Sequence, residues 1–447
     1  MIKGSLSDIE NSLRQFDPVE RAEAIKTLAS QLKNGSVKVE AEKEAFNLHC
    51  HTFFSYNAEG YSPSGLAWLA KQRGLRALGI IDFDTLDGVS EFLNDSELLA
   101  VRGSAGIETR IFVPEFANDE FNSPGEPGVC YHIGIGFTSS VPAPEAAGTL
   151  ADLRQRAGQR NRDMMKRVNA HLSALDVDYD RDVLPLTPAG NATERHMLAA
   201  YIRAAEEQQG DVATFWAGAL GVSGEQIQAV INNQAKMQNL IRAKLMKRGG
   251  VGYVQPGPDT FPSLQEVNQL ISACGAIPCY GWLDGTSSGE QKMEELLLFL
   301  ISTGIGTINI IPDRNWNISD PEQRRIKTAK LHEIVQLAQK LDLPVNVGTE
   351  MNSPGLKWVD DFDAPEMRPL YPVFSDGAHF IYGHTMMQRT LGMGYQSEWA
   401  KQYLPTRRER NVFYTRMGQL IPPGTVGVEL LNQFTPNHKP AEITGRL

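Results

Sequence analysis

Segments typical of buried β-strands alternate with segments typical of helices along much of this chain, and this alternation constrains the fold most strongly. Apolar runs at residues 77–81, 276–280 and 307–311 lie between stretches with helical spacing and helix-capping residues. Such alternation implies a parallel sheet with right-handed crossovers. With 447 residues, the chain is long enough for one large barrel with additions. We therefore predict a (β/α) barrel.

Polar residues stand at the ends of the first predicted strands. His49 and His51 are separated by one residue, so on a strand they share a face, and two neutral imidazoles on one face form half of a metal site. Asp82 directly follows the second strand, and Glu108 and His132 occur in the next two. Such barrels build their sites at the C-terminal rim, which favours a functional site over scattered helix-capping residues.

The pattern divides the chain into four parts. We predict an N-terminal helical lead-in over residues 1–44, a barrel over 45–142 and 263–353, an all-helical insertion over 143–262, and an irregular C-terminal extension over 354–447 packed on the barrel. Within the insertion we expect helices at 150–175, from about residue 193, and at 224–248. The first has a basic side that we interpret as solvated, with phosphate contact as the alternative: Arg154, Arg156, Arg160, Arg162, Lys166 and Arg167.

Composition excludes several classes of function. A formal net charge of −10 argues against a general nucleic-acid-binding surface. The N-terminus has no apolar segment of a signal peptide, and the apolar run at residues 296–301 is too short to span a bilayer, so no membrane association is expected. The 4 cysteines are too sparse for a disulfide framework. We therefore expect a cytoplasmic protein.

One stretch resembles a known family. The run FNLHCHTFFSYNAEGYSPSGLAWLAKQRGLRALGIIDFDTLDG is similar to the opening of the PHP (polymerase and histidinol phosphatase) domain, in which an HxH strand, a Ser-Pro-led helix and an acidic motif follow in this order. The similarity spans residues 45–142, touches Arg195-His196 and returns over 263–353. It implies a distorted seven-stranded (β/α) barrel whose di- or trinuclear metal centre hydrolyses phosphate esters. Some members carry a similar helical insertion.

The resemblance also implies roles for individual residues. His49 and His51 match the first motif, Asp82 the acid of the second, Glu108 the carboxylate that bridges two metals, and His132 the histidine of the next strand. His196 matches a histidine of the insertion, and Glu350 stands where the family usually has Asp. These matches imply the following metal ligands: His49, His51, Asp82, Glu108, His132, His196 and Glu350.

On this interpretation two divalent ions, Mn, Fe or Zn, share Glu108. One ion is bound by His49, His51 and Glu350, and the other by His132 and His196. Asp82 either binds metal or takes a proton from the attacking water. Arg195 and Arg314 are the expected phosphate-binding residues.

Three positions depart from the family pattern. Phe83 stands where the second motif has histidine, Gly281 lies within a Tyr-Gly-Trp run that replaces a His-Pro strand end, and Asn352 replaces the last histidine. We therefore predict an empty third metal position, partly filled by the Phe83 ring. Asp84 is interpreted as a loop or cap residue. The segment from Ser375 to His379 is a weaker site candidate.

The sequence therefore predicts a metal-dependent phosphoesterase that acts on a small phosphorylated metabolite or nucleotide. One alternative is an amide-type hydrolase that uses the same metals, since one barrel fold supports many chemistries. The other is a PHP-like barrel with an eroded site that serves as a non-catalytic binding protein. Metal content separates this last alternative from the two enzymes.

Overall fold

A computed structural model describes residues 5–447 of the chain and contains one seven-stranded sheet in sequential strand order. The sheet is nearly closed, because a parallel bridge between Cys50 and Glu350 joins its first strand to the segment after its last. The fold is thus the predicted distorted (β/α)7 barrel. The strands are β1 (Lys43–Cys50), β2 (Leu75–Phe83), β3 (Arg102–Phe112), β4 (Val129–Ile135), β5 (Ile277–Trp282), β6 (Thr307–Ile310) and β7 (Val345–Val347).

The expectation of an all-parallel sheet is wrong at β4. This strand pairs antiparallel with both β3 and β5, whereas the other neighbouring pairs are parallel. The segment between β3 and β4 contains a 3₁₀ turn at Pro114–Phe116 and no crossover helix. A connection without a crossover returns the chain in the opposite direction. Residues on β4 therefore run from the C-terminal rim of the barrel toward its other end.

Helices surround the barrel and form the three additions to it. The lead-in, the helices between strands, the insertion and the C-terminal extension comprise α1 (Leu6–Ser12), α2 (Pro18–Lys33), α3 (Pro63–Gln72), α4 (Val89–Leu98), α5 (Ala147–His171), α6 (Glu194–Gln208), α7 (Val212–Leu220), α8 (Gly224–Gln228), α9 (Gln234–Ile241), α10 (Leu264–Ala273), α11 (Met293–Ser302), α12 (Asp313–Trp316), α13 (Pro321–Lys340), α14 (Tyr371–Leu391), α15 (Glu398–Tyr403), α16 (Arg407–Leu420), α17 (Thr425–Leu431) and α18 (Pro440–Arg446). Within residues 5–447, none of these is both long and apolar enough to cross a bilayer.

The insertion has a hydrophobic core of its own, separate from the core of the barrel. The single helix expected at 224–248 is instead α8, α9 and a π-helical turn at Arg242–Met246. The reason is that Asn233 caps a new helix by accepting a hydrogen bond from the backbone of Lys236, which ends one helix and begins another.

The C-terminal extension is helical, contrary to the prediction of an irregular segment. Its glycines suggest breaks in the sequence, yet in the structure they allow close packing of helices. A Cβ atom at Gly377 would lie 1.9 Å from the carbonyl oxygen of Val345 on β7, and one at Gly418 would lie 1.8 Å from that of His379. Glycine is thus required where α14 packs on the sheet and where α16 packs on α14.

The lead-in is attached to the barrel through a partly buried polar cluster. Arg21 on α2 donates two hydrogen bonds to Glu91 on α4, of 2.8 and 2.6 Å. The Ser64 hydroxyl lies 2.7 Å from Glu91 Oε1 and 2.6 Å from Asp95 Oδ2. A hydroxyl has one proton, so a second proton must lie on a carboxyl group. Burial raises the pKa of Asp95 to about 7, which makes Asp95 the protonated partner.

This cluster predicts a pH effect on stability. Asp95 ionises near pH 3.8 when unfolded and near 7 when folded, so the folded state binds the extra proton between these values. Stability contributed by this group therefore falls as pH rises through that window and is lowest above it. Asp95→Asn cannot ionise and keeps a donor for Ser64. We expect its free energy of unfolding, relative to wild type, to be higher at pH 8 than at pH 5 in urea titrations; equal differences would contradict this assignment.

Candidate metal centre

Three buried side chains converge at the C-terminal rim of the barrel. His49 lies in β1, His51 follows the end of that strand, and Glu108 lies in β3. Glu108 Oε2 lies 3.5 Å from His49 Nε2 and 3.4 Å from His51 Nε2. These three atoms are buried and have no hydrogen-bond partner within residues 5–447.

The donor set of this triad fits a divalent metal ion. A buried polar atom without a partner costs about 1–3 kcal/mol, so three such atoms close together indicate a binding site. Two imidazole nitrogens and a carboxylate oxygen, all within 4.8 Å of one another, are ligands suited to Zn, Fe or Mn. Although burial disfavours ionisation, the two histidines lower the pKa of Glu108, which keeps it an anion.

The other nitrogen of each imidazole has a buried partner. His49 Nδ1 lies 2.9 Å from Oδ1 of Asn309 on β6, and His51 Nδ1 lies 3.0 Å from Oγ of Ser55. Asn309 Oδ1 can only accept, so His49 carries its proton on Nδ1 in the neutral tautomer and presents the lone pair of Nε2 toward Glu108. This orientation is the one that a metal ligand requires.

Asp82 does not face the triad as a ligand. Its Oδ1 accepts hydrogen bonds from the Thr52 backbone (2.7 Å) and from the Ser55 hydroxyl (2.6 Å), and its Oδ2 accepts one from the Thr52 hydroxyl (2.7 Å). Burial raises the pKa of Asp82, and these bonds oppose that effect. Asp82 thus orders the loop after β1 and is not in the cluster of possible metal ligands.

The structure does not bring His132 or His196 to the triad, contrary to the prediction. His132 pairs with Thr109 in the register of β3 and β4, so it points to the opposite face from Glu108, where its Nε2 lies 2.7 Å from Asn268 Oδ1 on α10. His196 Nδ1 accepts a hydrogen bond of 3.0 Å from the Thr193 backbone at the start of α6. This bond places the proton of the neutral ring on Nε2, which leaves no lone pair for a metal.

Glu350 lies beside the triad but is held by other groups. Its Oε2 accepts hydrogen bonds from Arg314 (2.5 Å) and from Asn352 (2.7 Å). Burial disfavours the charged form, but Arg314 and His49 lower the pKa of Glu350. Its Oε1 accepts no hydrogen bond from residues 5–447. Glu350 is therefore an anion at the edge of the triad with one free oxygen.

The departures from the family pattern all lie around this centre. The Phe83 ring stacks on the His51 ring, with centroids 4.6 Å apart and an interplanar angle of 20°. Gly281 faces the same cavity and offers no side chain. Asp84 lies in the turn after β2, as expected of a loop residue, and is also buried, accepts a hydrogen bond of 2.6 Å from Thr109 and lines the cavity.

A cavity of about 710 Å³ opens above His49 and Glu108 of the triad. The barrel rim forms one side, and helices of the insertion together with the segment at 253–261 form the other. Arg160 on α5 and Arg195 on α6 both line this cavity. The insertion therefore covers the metal-binding end of the barrel.

Three arginines of this cavity have no carboxylate partner within residues 5–447: Arg160, Arg195, and Arg167, which donates to the Gly252 carbonyl. Arg160 packs on the Phe261 ring, 4.7 Å from its centroid, and burial together with nearby Arg110 lowers the pKa of Arg160 to about 10. Arg195 donates to Asn239 and Ser353. Burial lowers the pKa of Arg195, and the positive charge of nearby Arg242 lowers it further. A lowered arginine pKa means that positive charge is under-compensated there, which favours binding of an anion.

The basic side of α5 is only partly solvated, in contrast to the expectation. Arg154, Arg156 and Arg162 pair with carboxylates at 3.2, 2.6 and 2.6 Å, as surface residues do. Arg160 and Arg167 instead turn into the cavity. The weaker candidate, His379, lies in α14 and does not line the cavity.

Two residues of the centre were not found from the sequence. Asn309 is a polar residue within the apolar run at residues 307–311, a detectable signal because it lies on the inward face of a buried strand. Ser55 lies in a loop, and nothing in its surroundings distinguishes it from an ordinary turn residue.

No protein-family profile and no curated protein sequence matches the chain. Among solved structures, an amidohydrolase from Chromobacterium violaceum, determined with bound sulfate and no metal, is 17% identical with a TM-score of 0.48, over 74% of this chain and 96% of that one. A proposed metal-dependent phosphoesterase from Bifidobacterium adolescentis is 18% identical with a TM-score of 0.45, over 75% of this chain and 98% of that one. Similarity at this level assigns no activity to the chain.

The triad predicts metal binding that stabilises the fold. At a free concentration of about 100 times Kd, one ion adds about 2.7 kcal/mol to the free energy of unfolding. We expect Mn²⁺ or Zn²⁺ to raise the Tm of the wild type and to have no effect on Glu108→Gln. His132→Gln, on the outward face of β4, serves as the control and should keep the metal-induced rise. A rise in Tm for Glu108→Gln equal to that of wild type would place the ion elsewhere.

Proposed function

We propose that this protein is a metal-dependent phosphoesterase whose ion is bound by His49, His51 and Glu108. The observation that carries this proposal is the convergence of three buried, unpartnered ligand atoms, two of them from residues that line a cavity together with arginines that have no carboxylate partner. The triad suits a metal that activates water, and the arginines suit an anionic ester. A small phosphorylated metabolite or nucleotide combines both requirements.

We also propose that the chain is a PHP-like barrel. The order of the HxH strand, the helix begun by Ser62 and Pro63, and Asp82 at the end of β2 supports this assignment. The departures make it an atypical one.

A single ion is favoured over the two that the resemblance implies. His132 and His196, the expected ligands of a second ion, are directed away or bonded elsewhere. At the third position Phe83 packs on His51, and Asn352 donates to Glu350. Among residues 5–447, the triad is the one group that combines three possible ligands in this geometry.

The side chains of the cavity have distinct roles in the proposed hydrolysis. His49, His51 and Glu108 would hold a divalent ion, which would act as a Lewis acid and make a water more acidic. Glu350 Oε1 would take the proton of the attacking water while the water oxygen bonds to phosphorus and the ester P–O bond breaks, and would return that proton to the leaving alcohol oxygen. Asp82 is less suited to this role, because three hydrogen bonds hold its carboxylate to the loop after β1. Arg314 keeps Glu350 charged and in place. Arg160 and Arg195 bind the phosphoryl oxygens and offset the charge that develops on them.

Amide hydrolysis on the same metal is the first alternative, and a non-catalytic binding protein is the second. The positively charged side of the cavity favours phosphate over a neutral amide. The unpartnered triad favours metal binding over an eroded site. Substrate panels therefore need phosphomonoesters, phosphodiesters and amides.

The proposal predicts slow hydrolysis of generic phosphate esters in the presence of Mn²⁺ or Zn²⁺. Glu108→Gln should abolish it, because a neutral amide cannot replace the anionic ligand. The measurement is release of p-nitrophenol from mono- and diesters, with p-nitroanilide substrates in parallel. Cleavage of the anilides alone would support the amide hydrolase, and metal binding without any turnover would support the binding protein.

The role of Arg160 in substrate binding can be tested by substitution, with another arginine of the same helix as the control. A charge-assisted hydrogen bond is worth about 1.5–3 kcal/mol, so Arg160→Gln should lower kcat/KM for a phosphate ester by about 10- to 100-fold. Arg162→Gln is the matched control, because Arg162 pairs with Asp180 on the exposed side of α5. Equal losses in the two variants would show that Arg160 does not contact the substrate.

A further inference from the structure

We infer that Ser55 is a positioning residue for the metal site and that Asp82 acts through it on His51. This inference rests on the metal site of the proposed function. It reassigns Asp82, the acid of the second family-like motif, from a metal ligand to the anchor of a hydrogen-bond relay.

The relay consists of three buried groups in contact. Ser55 Oγ lies 2.6 Å from Asp82 Oδ1 and 3.0 Å from His51 Nδ1. Asp82, Ser55 and His51 are each at most 2% exposed, so water does not compete for these bonds. His51 Nε2, at the far side of the ring, lies 3.4 Å from Glu108 Oε2.

The direction of each bond follows from the donors present. The backbone N–H of Thr52 can only donate, and it donates to Asp82 Oδ1 at 2.7 Å, so this oxygen is an acceptor. The Ser55 hydroxyl therefore donates its one hydrogen bond to Asp82 Oδ1. The Ser55 oxygen is then available to accept a hydrogen bond from the N–H at His51 Nδ1. The neutral His51 ring is thereby held in the tautomer whose Nε2 lone pair is available to a metal.

The hydrogen bonds of Asp82 compete with ligation of the ion. Its Oδ1 already accepts two hydrogen bonds, and its Oδ2 accepts one from the Thr52 hydroxyl at 2.7 Å. Ligation by Asp82 would break these bonds within a buried loop. The relay and direct ligation therefore make opposite predictions for variants of Asp82 and Ser55.

The test uses metal affinity of the full-length protein, measured by competition of Zn²⁺ with a chromophoric chelator, and the absorption spectrum of the Co²⁺ form. Ser55→Ala removes the acceptor for His51 Nδ1, so we expect affinity to fall about 10- to 100-fold and the Co²⁺ spectrum to change, at unchanged stoichiometry. Thr52→Val is the matched control, because the Thr52 hydroxyl donates a hydrogen bond to Asp82 and makes none to His51. It should lose less than about 3-fold.

Asp82→Asn distinguishes a positioning role from direct ligation. Its amide oxygen can still accept from Thr52 and Ser55, so affinity should stay within about 10-fold of wild type, whereas Glu108→Gln should lose the ion. Loss of the ion in Asp82→Asn, or wild-type affinity and spectrum in Ser55→Ala, would overturn the inference while leaving the phosphoesterase proposal intact. Metal binding with the expected variant effects but no hydrolysis would overturn only that proposal. Failure of wild type to bind metal would overturn both.

Discussion

The backbone contact between Glu350 and the end of β1 is the constraint on which the site depends. The Glu350 N–H donates to the His49 carbonyl at 2.7 Å, and the His51 N–H donates to the Glu350 carbonyl at 2.8 Å. This contact needs φ of 64° at Glu350, a left-handed value that costs a non-glycine residue about 1–3 kcal/mol. At Gly348, a Cβ atom would lie 2.4 Å from the His49 nitrogen. Closure of the barrel thus also fixes both histidines and the neighbouring carboxylate.

Positively charged side chains without a carboxylate partner line the cavity, although the net charge of the chain is negative. The protein has a net charge of −10, yet the insertion places Arg160 and Arg195 beside the cavity without carboxylate partners. Positive groups in a cleft with low-dielectric surroundings focus the field on an incoming anion. His49 and Glu108 line the same cleft. In the proposed function the barrel provides the ligands of the metal, and the insertion provides the groups that favour an anionic substrate.

The antiparallel direction of β4 explains why His132 does not lie with the other predicted metal ligands. Sequence order suggested that each strand contributes a residue at the same rim. Because β4 returns without a crossover, its register with β3 places Ile133 beside Glu108 and turns His132 toward α10. The centre consequently draws on β1, β3, β6 and the segment after β7. Asn309 takes a position next to His49 that the spacing of polar residues alone does not reveal.

The sequence by itself determined the barrel class, the helical insertion and the pairing of His49 with His51, because strand and helix periodicities are local properties of the chain. It also indicated Glu108 and Glu350 as candidate metal ligands and Arg314 as a candidate phosphate-binding residue, whereas in the structure Arg314 pairs with Glu350. Only the tertiary structure decided which polar side chains meet. Strand direction and register decide where His132 points. Neighbours distant in sequence decide that Asp82 bonds to the loop after β1 and that Arg160 faces the cavity. Glycines in α14 and α16 were ambiguous for the same reason, since only close packing shows whether glycine ends a helix or lets another segment approach it.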